Sequence, residues 1–125
     1  MSVRSFSIHL FVRDVIEVGG WYEKVLSARI SDIMGYGNGN RYVEIRFGTF
    51  NIILDERQRF TEQNLPLSNR FMQIDVEVSR VLIDRLDKFS LDVEEDYISD
   101  ERDARWVTIR DPDDNKLHFV CYSDF

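Results

Sequence analysis

The chain has 125 residues, a formal net charge of −7, 43% hydrophobic and 31% charged residues, and one cysteine. This length suffices for one compact domain with its own core, and no apolar run approaches the roughly 20 residues that a membrane-spanning helix needs. The acidic charge without a basic stripe excludes nucleic acid as an expected partner, and the lone Cys121 excludes an intrachain disulfide and a thiolate metal site.

The first predicted strand is FSIHLFV, residues 6–12, in which side chains alternate with the period of a half-buried strand. Because the N-terminus leads directly into this alternation, it does not resemble a secretory signal, and we expect a cytoplasmic location. Asp14 then caps a predicted helix over VIEVGGWYEKVLSA. Its residues at helical spacing are Val18, Trp21, Tyr22, Val25 and Leu26.

Three more strands are predicted in the first half. ARISDIM, residues 28–34, is a short strand, and GYGNGN, residues 35–40, is a flexible loop that borders a pocket. RYVEIRF and FNIILDE, separated by Gly48 and Thr49, form a hairpin. Its predicted apolar face consists of Val43, Ile45, Ile52 and Leu54.

The second half repeats this pattern after a linker over residues 57–69, which has no clean period and contains Pro66. RFMQIDVEV is a predicted strand, Ser79 caps a helix over SRVLIDRLDKF, and the strands LDVEEDYI, RWVTIR and KLHFVCY follow. The predicted apolar stripe of this helix is Val81, Leu82, Leu86 and Phe89. The sequence thus predicts a single domain, 1–125, built from modules of about 1–56 and 70–125.

The last strand places His118 between Leu117 and Phe119, so its imidazole lies on the face opposite to the core. That face also carries several aromatic residues. A bare antiparallel sheet with one wet face would show the same alternation without any function. Aromatic rings with converging polar groups are also typical of a small-molecule pocket, and this is the interpretation we favour. Cys121 is expected to be a buried structural thiol.

Two segments resemble a known family. HLFVRDVIEVGGWYEKVLSARI is similar to the first strand and helix, and VTIRDPDDNKLHFV to the closing turn and strand, of the vicinal oxygen chelate superfamily. This superfamily contains glyoxalases, extradiol dioxygenases, fosfomycin-modifying enzymes and bleomycin-binding resistance proteins. The resemblance implies an α+β fold of two tandem βαβββ modules that form cupped mixed sheets, with the helices on the outer face, in a homodimer.

Metal-using members of that superfamily take four ligands from the first and fourth strands of each module. Superposing the two halves puts Ser7 over Gln73, His9 over Asp75 and Ile53 over His118, so the matching positions are Ser7, Ile53, Gln73 and His118. Of these only His118 is a good ligand, and Ile53 has no donor atom. A register shift of two residues would instead replace Ser7 by His9 and Ile53 by Asn51 or Asp55, and a site of His9, Asp55, Gln73 and His118 would then be conceivable. We therefore favour no metal, with His9, Gln73 and His118 as candidate ligands if a divalent metal binds.

The leading hypothesis is a metal-free small-molecule binding protein of the resistance type, with a flat or cationic ligand held by stacking and cation–π contacts. Its predicted ligand-binding residues are Ser7, His9, Tyr42, Phe71, Gln73, Trp106, His118 and Tyr122. The alternative is a divalent-metal-dependent glyoxalase-like lyase or isomerase, or a dioxygenase, in which the metal chelates two substrate oxygens. A third interpretation is a dimerisation or regulatory module that binds no small molecule. Serine-hydrolase, nucleotide-binding and zincin motifs are absent from the sequence.

Overall fold

The computed structural model describes residues 2–3, 8–37, 39–57, 73–89, 93–99 and 103–122. Contacts between Cα atoms divide the chain into two compact units, Met1–Ser68 and Asn69–Phe125. Within these residues each unit contains one helix and one mixed sheet, and the fold is α+β with two modules. The prediction that both modules form a single domain remains a prediction.

The first unit has a five-stranded sheet in which β1, β5, β4 and β2 lie in that order, with β3 also paired to β4. Its elements are β1 (Ile8–Phe11), α1 (Val15–Leu26), β2 (Arg29–Ile30), β3 (Met34–Gly35), β4 (Arg41–Phe47) and β5 (Phe50–Asp55). β1 runs parallel to β5, and β4 and β5 form the predicted antiparallel hairpin. The predicted strand ARISDIM is interrupted, because residues 31–33 separate β2 from β3.

The core of the first unit lies between α1 and one face of this sheet. Val43, Ile45, Ile52 and Leu54 are all at most 2% exposed, which confirms the predicted apolar face of the hairpin. The helix begins as predicted, because the Asp14 carboxylate accepts hydrogen bonds from the N–H groups of Ile16 and Glu17. It ends at Ser27, whose left-handed backbone (φ 56) turns the chain towards β2.

The second unit has a four-stranded sheet in the order β6, β9, β8 and β7. Its elements are β6 (Gln73–Glu77), α2 (Arg80–Leu86), β7 (Val93–Ser99), β8 (Ala104–Arg110) and β9 (Lys116–Tyr122). β6 and β9 are parallel, and the other pairs are antiparallel. Asp111 stabilises the turn before β9, since its buried carboxylate accepts hydrogen bonds from the N–H groups of Asp113 and Asn115.

The buried face of α2 differs from the prediction. Ile83 and Leu86 are the buried residues of this helix, whereas Val81 is 78% exposed. Ser79 caps the helix by accepting a hydrogen bond from the N–H of Leu82, so the helix starts at Arg80. Ile83 and Leu86 are three residues apart and therefore lie on the same, buried face of the helix. The predicted stripe was wrong at Val81, because three adjacent apolar residues leave the phase of a seven-residue helix undetermined.

Several predicted features lie outside the described residues. These include most of the linker, residues 58–69, and the side chains of Ser7 and Phe71. Within the described segments, no helix is long and apolar enough to cross a membrane.

Candidate functional site

Each sheet has an open face, which we define as the face opposite to its own helix. The first open face contains His9, Phe11, Tyr42, Glu44, Ile53 and Asp55. The second open face contains Asp75, Glu77, Glu95, Tyr97, Trp106, Thr108, His118 and Val120. In the strand registers His9 pairs with Ile53 and Asp75 pairs with His118, so these pairs occupy equivalent places in the two modules, as the superposition of the halves predicted.

A buried carboxylate organises the first open face. The Asp55 side chain is 0% exposed and accepts hydrogen bonds from His9 Nδ1 at 2.9 Å and from the Tyr36 hydroxyl at 2.7 Å. Arg57 donates to the same carboxylate from its backbone N–H at 2.8 Å, from Nε at 3.0 and 3.1 Å and from NH2 at 2.7 Å. The charge of Asp55 is therefore balanced by a guanidinium two residues further along the chain.

These hydrogen bonds determine the protonation of the cluster. Burial alone would raise the pKa of Asp55, but the hydrogen bonds from Arg57, Tyr36 and His9 outweigh it and hold the pKa well below its usual range. Burial, and then the hydrogen bond to Asp55, raise the pKa of Tyr36 to about 12. Because an ionised Asp55 has no proton to donate, Nδ1 of His9 must carry the hydrogen of their shared bond.

The loop GYGNGN brings an aromatic ring to this cluster. Gly37 has φ +85 and Gly39 has φ +90, values that glycine adopts readily, and they let the chain turn back after Tyr36. The Tyr36 ring lies 4.7 Å from that of Tyr42, and the Arg57 guanidinium lies 4.1 Å from the Tyr36 ring centroid. The loop therefore borders the first open face, and its tyrosine is held by a hydrogen bond and a cation–π contact.

Aromatic rings line the second open face. The indole of Trp106 lies 6.1 Å from the Tyr97 ring at an interplanar angle of 10°, and 5.2 Å from the imidazole of His118. Tyr97 is 51% exposed, and Trp106 and His118 are partly exposed. The Thr108 hydroxyl, which is completely buried, is hydrogen-bonded to Nδ1 of His118 and fixes the orientation of the imidazole.

Two rows of side chains cross the second open face from β7 to β6. One row is Tyr97, Trp106, Val120 and Glu77, and the other is Glu95, Thr108, His118 and Asp75. Each row spans three strand spacings, about 14 Å. Carboxylates therefore lie at the β6 end of both rows and at the β7 end of the second row, whereas the β7 end of the first row is the Tyr97 ring.

The predicted site residues have different outcomes. Trp106 and His118 lie together on the second open face, and Tyr122 lies at the end of β9, partly buried. His9 and Tyr42 lie in the first unit around Asp55. The predicted residues that lie outside the described part of the structure are Ser7, Phe71 and the side chain of Gln73.

Sequence reasoning missed several residues that hold these groups. Tyr36 and Arg57 were not singled out, and Thr108 and Tyr97 received no role. Thr108 could have been found, because antiparallel pairing of the last two strands places it directly opposite His118. The position of Tyr36 depends on the path of a glycine-rich loop, which no periodicity encodes.

Solved structures with the same arrangement of elements are numerous, whereas no family profile matches the sequence and no curated protein is significantly similar to it. A fosfomycin resistance protein from Listeria monocytogenes has a TM-score of 0.72 at 11% identity, over 98% of this chain and 96% of that chain. A glyoxalase/bleomycin resistance protein/dioxygenase from Nocardioides has a TM-score of 0.67 at 15% identity, over 98% and 86%. For a lactoylglutathione lyase from Agrobacterium tumefaciens the TM-score is 0.64 at 15% identity, over 96% and 94%.

This chain has the vicinal oxygen chelate fold. The resemblance noted in the sequence is thereby confirmed at the level of the fold. The identities of 11–15% to these three structures show the fold alone, so the chemistry of this protein has to be argued from its own residues.

The described residues of this protein fit a four-ligand metal site poorly. Ile53, the equivalent of His118 in the first module, offers only hydrocarbon. Asp55 would have to give up its pair with Arg57 before it could bind a cation. Among the described residues, no group of three or more His, Cys, Asp or Glu side chains is arranged to hold a metal ion.

Proposed function

We propose that the protein binds a small molecule, that the ligand is flat and cationic, and that binding does not use a complete catalytic metal site. The observation that carries this proposal is the trio of partly exposed rings on the second open face. Trp106 lies between Tyr97 and His118, and a buried hydroxyl holds the imidazole in place. Rigid aromatic groups with a few oriented polar groups are typical of small-molecule sites.

The charge around these rings supports a cationic ligand. Glu77 lies at the β6 end of the Trp106 row, and Glu95 lies at the β7 end of the His118 row. Both are exposed, and neither forms an ion pair with another described residue. A cation placed over an indole face gains about 0.5–2 kcal/mol, and two flanking carboxylates add attraction for the same charge. An anionic ring system of equal size would lose both contributions.

The basic residues on the second open face pair with a carboxylate away from Trp106, so they do not oppose a cationic ligand at the rings. Arg110 and Lys116 both lie next to Glu94, at 3.3 and 3.8 Å, in the direction away from Trp106. The positive charges of Arg110 and Lys116 are thus balanced by the carboxylate of Glu94. The rings and the carboxylates of Glu77 and Glu95 remain as the groups that select a ligand.

Fluorescence of Trp106 tests the proposal directly. In a Trp21→Phe background, where Trp106 is the remaining tryptophan, the flat cation proflavine should quench the emission in a saturable way. Anthracene-9-carboxylate, which has a similar ring system and a negative charge, should bind roughly tenfold more weakly, as expected when cation–π and carboxylate attraction are lost.

The matched variants are Trp106→Leu and Phe50→Leu, read by the fluorescence of the dye itself. Phe50 is a 49% exposed aromatic residue in the hairpin of the other unit. Trp106→Leu should weaken proflavine binding about tenfold, and Phe50→Leu should leave it unchanged. Equal binding by both variants, or equal affinity for the two ring systems, would overturn the proposal.

A second candidate is a divalent-metal-dependent lyase or isomerase, or a dioxygenase. It is supported by one observation, the hydrogen bond between Nδ1 of His118 and the Thr108 hydroxyl, because an Nδ1–H that donates to this oxygen leaves the lone pair of Nε2 for a metal. This candidate requires that His118→Ala loses bound metal and activity together. A His118→Ala protein that keeps either would exclude it.

The proposal includes a homodimer in the cytoplasm. Exposed apolar residues support self-association, since Ile98 is 71% exposed and Val81 is 78% exposed. Light scattering coupled to gel filtration tests the dimer, and a monomeric mass would refute it.

A further inference from the structure

A cavity of about 470 Å³ lies at the end of the first sheet, beside the C-terminus of α1. Its lining consists of Leu26, Ser27, Arg29, Arg46, Phe47 and Gly48. It lies within the first unit and does not include any of the rings of the second open face. Its distinguishing feature is that two arginines contribute to one small, mostly polar cavity.

The fold requires these two arginines to be neighbours. Ile30 packs beneath α1, where a Cβ on Gly19 would come within 3.4 Å of Ile30 Cδ1, so strand alternation turns the preceding Arg29 to the other face. In the ladder between β2 and β4, Arg29 is the direct antiparallel partner of Arg46. Like charges directly opposite each other in adjacent strands are destabilising.

The structure compensates this repulsion only in part. Arg46 donates to Asn51 Oδ1 at 2.9 Å and contacts Glu44 at 3.4 Å, with 58% of its side chain and 40% of that of Glu44 exposed. An exposed pair of this kind contributes little. Arg29 is exposed and has no ion pair or hydrogen bond to the side chain of another residue in the described part of the chain. A pair of arginines with so little compensation is unexpected in a protein of net charge −7.

We propose that Arg29 and Arg46 form a binding site for a small phosphate-type dianion, either free phosphate or the terminal group of a phosphorylated or phosphonate-bearing metabolite. Two guanidinium groups present forked donors that match the oxygens of such a group. A phosphate monoester carries a charge of about −1.5 to −2 at pH 7, which balances two arginines better than a carboxylate does. The Ser27 hydroxyl at the cavity wall is a further donor.

Binding of inorganic phosphate tests this site. In titration calorimetry at constant ionic strength, phosphate and methylphosphonate should bind the intact protein with one site per chain, and acetate should bind roughly tenfold more weakly because it carries half the charge. Arg29→Gln and Arg46→Gln should each weaken phosphate binding about tenfold or more, as expected for the loss of a charged hydrogen-bond donor. Arg80→Gln is the matched control, because Arg80 is an exposed arginine of the second unit.

Thermal unfolding gives a second, independent signature. Without phosphate, Arg29→Gln should melt at a higher temperature than the wild type, because it removes the repulsion from Arg46. With saturating phosphate the order should reverse. Phosphate binding that Arg29→Gln leaves intact, or a lower melting temperature of this variant without phosphate, would overturn the site.

The phosphate of a lipid headgroup could bind to the same two arginines in place of a small molecule. Co-sedimentation with vesicles that contain phosphatidic acid distinguishes the two. The proposal predicts no co-sedimentation beyond that with neutral vesicles. Sedimentation that soluble phosphate does not compete would refute a small-molecule ligand. Because the cavity and the Trp106 rings belong to different units, failure of either proposal leaves the other to its own test.

Discussion

Asp55→Asn should destabilise the first unit more than any other single change on its open face. The substitution keeps the shape of the side chain and removes its charge. It affects every hydrogen bond that the buried carboxylate accepts, from His9, from Tyr36 and from both the backbone and the guanidinium of Arg57. The amide also presents a donor to groups that are themselves donors.

The expected cost follows from the burial of the pair. Removing one partner of a buried ion pair costs about 3–5 kcal/mol. The side chains of Arg57 and His9 keep 27% and 31% of their surface exposed, so water can partly compensate both after the change. We therefore expect a loss of about 3 kcal/mol in the free energy of unfolding, at the lower end of that range.

Urea unfolding followed by the fluorescence of Trp21 measures this loss in a Trp106→Phe background, where Trp21 reports on α1 of the first unit. A loss of this size lowers the unfolding midpoint by about 1–3 M urea, for a slope of about 1–3 kcal/mol per M. The matched control is Glu44→Gln, whose contact with Arg46 is solvent-exposed and should contribute less than about 1 kcal/mol. Equal midpoints for the two variants would refute the view that Asp55 anchors this face.

The pH dependence has a definite sign. Because the folded-state pKa of Asp55 is lowered, its contribution is complete above the unfolded-state value of about 3.9 and is lost as the pH falls through the folded-state pKa. The wild type and Asp55→Asn should therefore differ by a constant amount from neutral pH down to about pH 4, and should converge in stronger acid.

Three other predictions concern the groups around the two open faces. In an alkaline absorbance titration, Tyr36 should ionise with a pKa of about 12, and this pKa should fall in Asp55→Asn, which removes the hydrogen bond but leaves the burial. The stability that this bond contributes is lost as the pH rises above about 10. Ser27→Gly should raise stability by about 1 kcal/mol in thermal unfolding, because Ser27 has a left-handed backbone at the end of α1, and a decrease would contradict this. Thr108→Val should cost about 1 kcal/mol and shift the His118 imidazole resonances in NMR, whereas unchanged resonances would show that the hydroxyl does not orient the ring.

The alternation of apolar and polar residues predicted most of the fold. In a half-buried strand this alternation identifies which side chains pack on the core and which lie on the opposite face. The bounds of β4 and β9 agree with the predicted RYVEIRF and KLHFVCY, and the superposition of His9 on Asp75 and of Ile53 on His118 holds in the strand registers. The phase of α2 was missed because a seven-residue helix offers too few turns to define a stripe.

The candidate site was only partly predictable. Trp106 and His118 were found because parity puts them on the same face of neighbouring strands. The partner of the His118 imidazole, Thr108, depends on which residues face each other in the pairing of β8 with β9. In the first unit, the position of Tyr36 beside Asp55 depends on the path of a loop. The cluster at Asp55 also depends on Arg57 folding back onto a carboxylate two residues earlier, which no pattern of apolar residues specifies.

In the function proposed above, ligand binding on the second open face uses rings and carboxylates without a tightly bound metal. Dialysis of the folded protein against a panel of divalent metals, followed by gel filtration and metal analysis, tests it most directly. We expect that no metal is retained in a stoichiometric amount and that His118→Ala gives the same result as the wild type. One metal ion held per chain, and lost in His118→Ala, would contradict it.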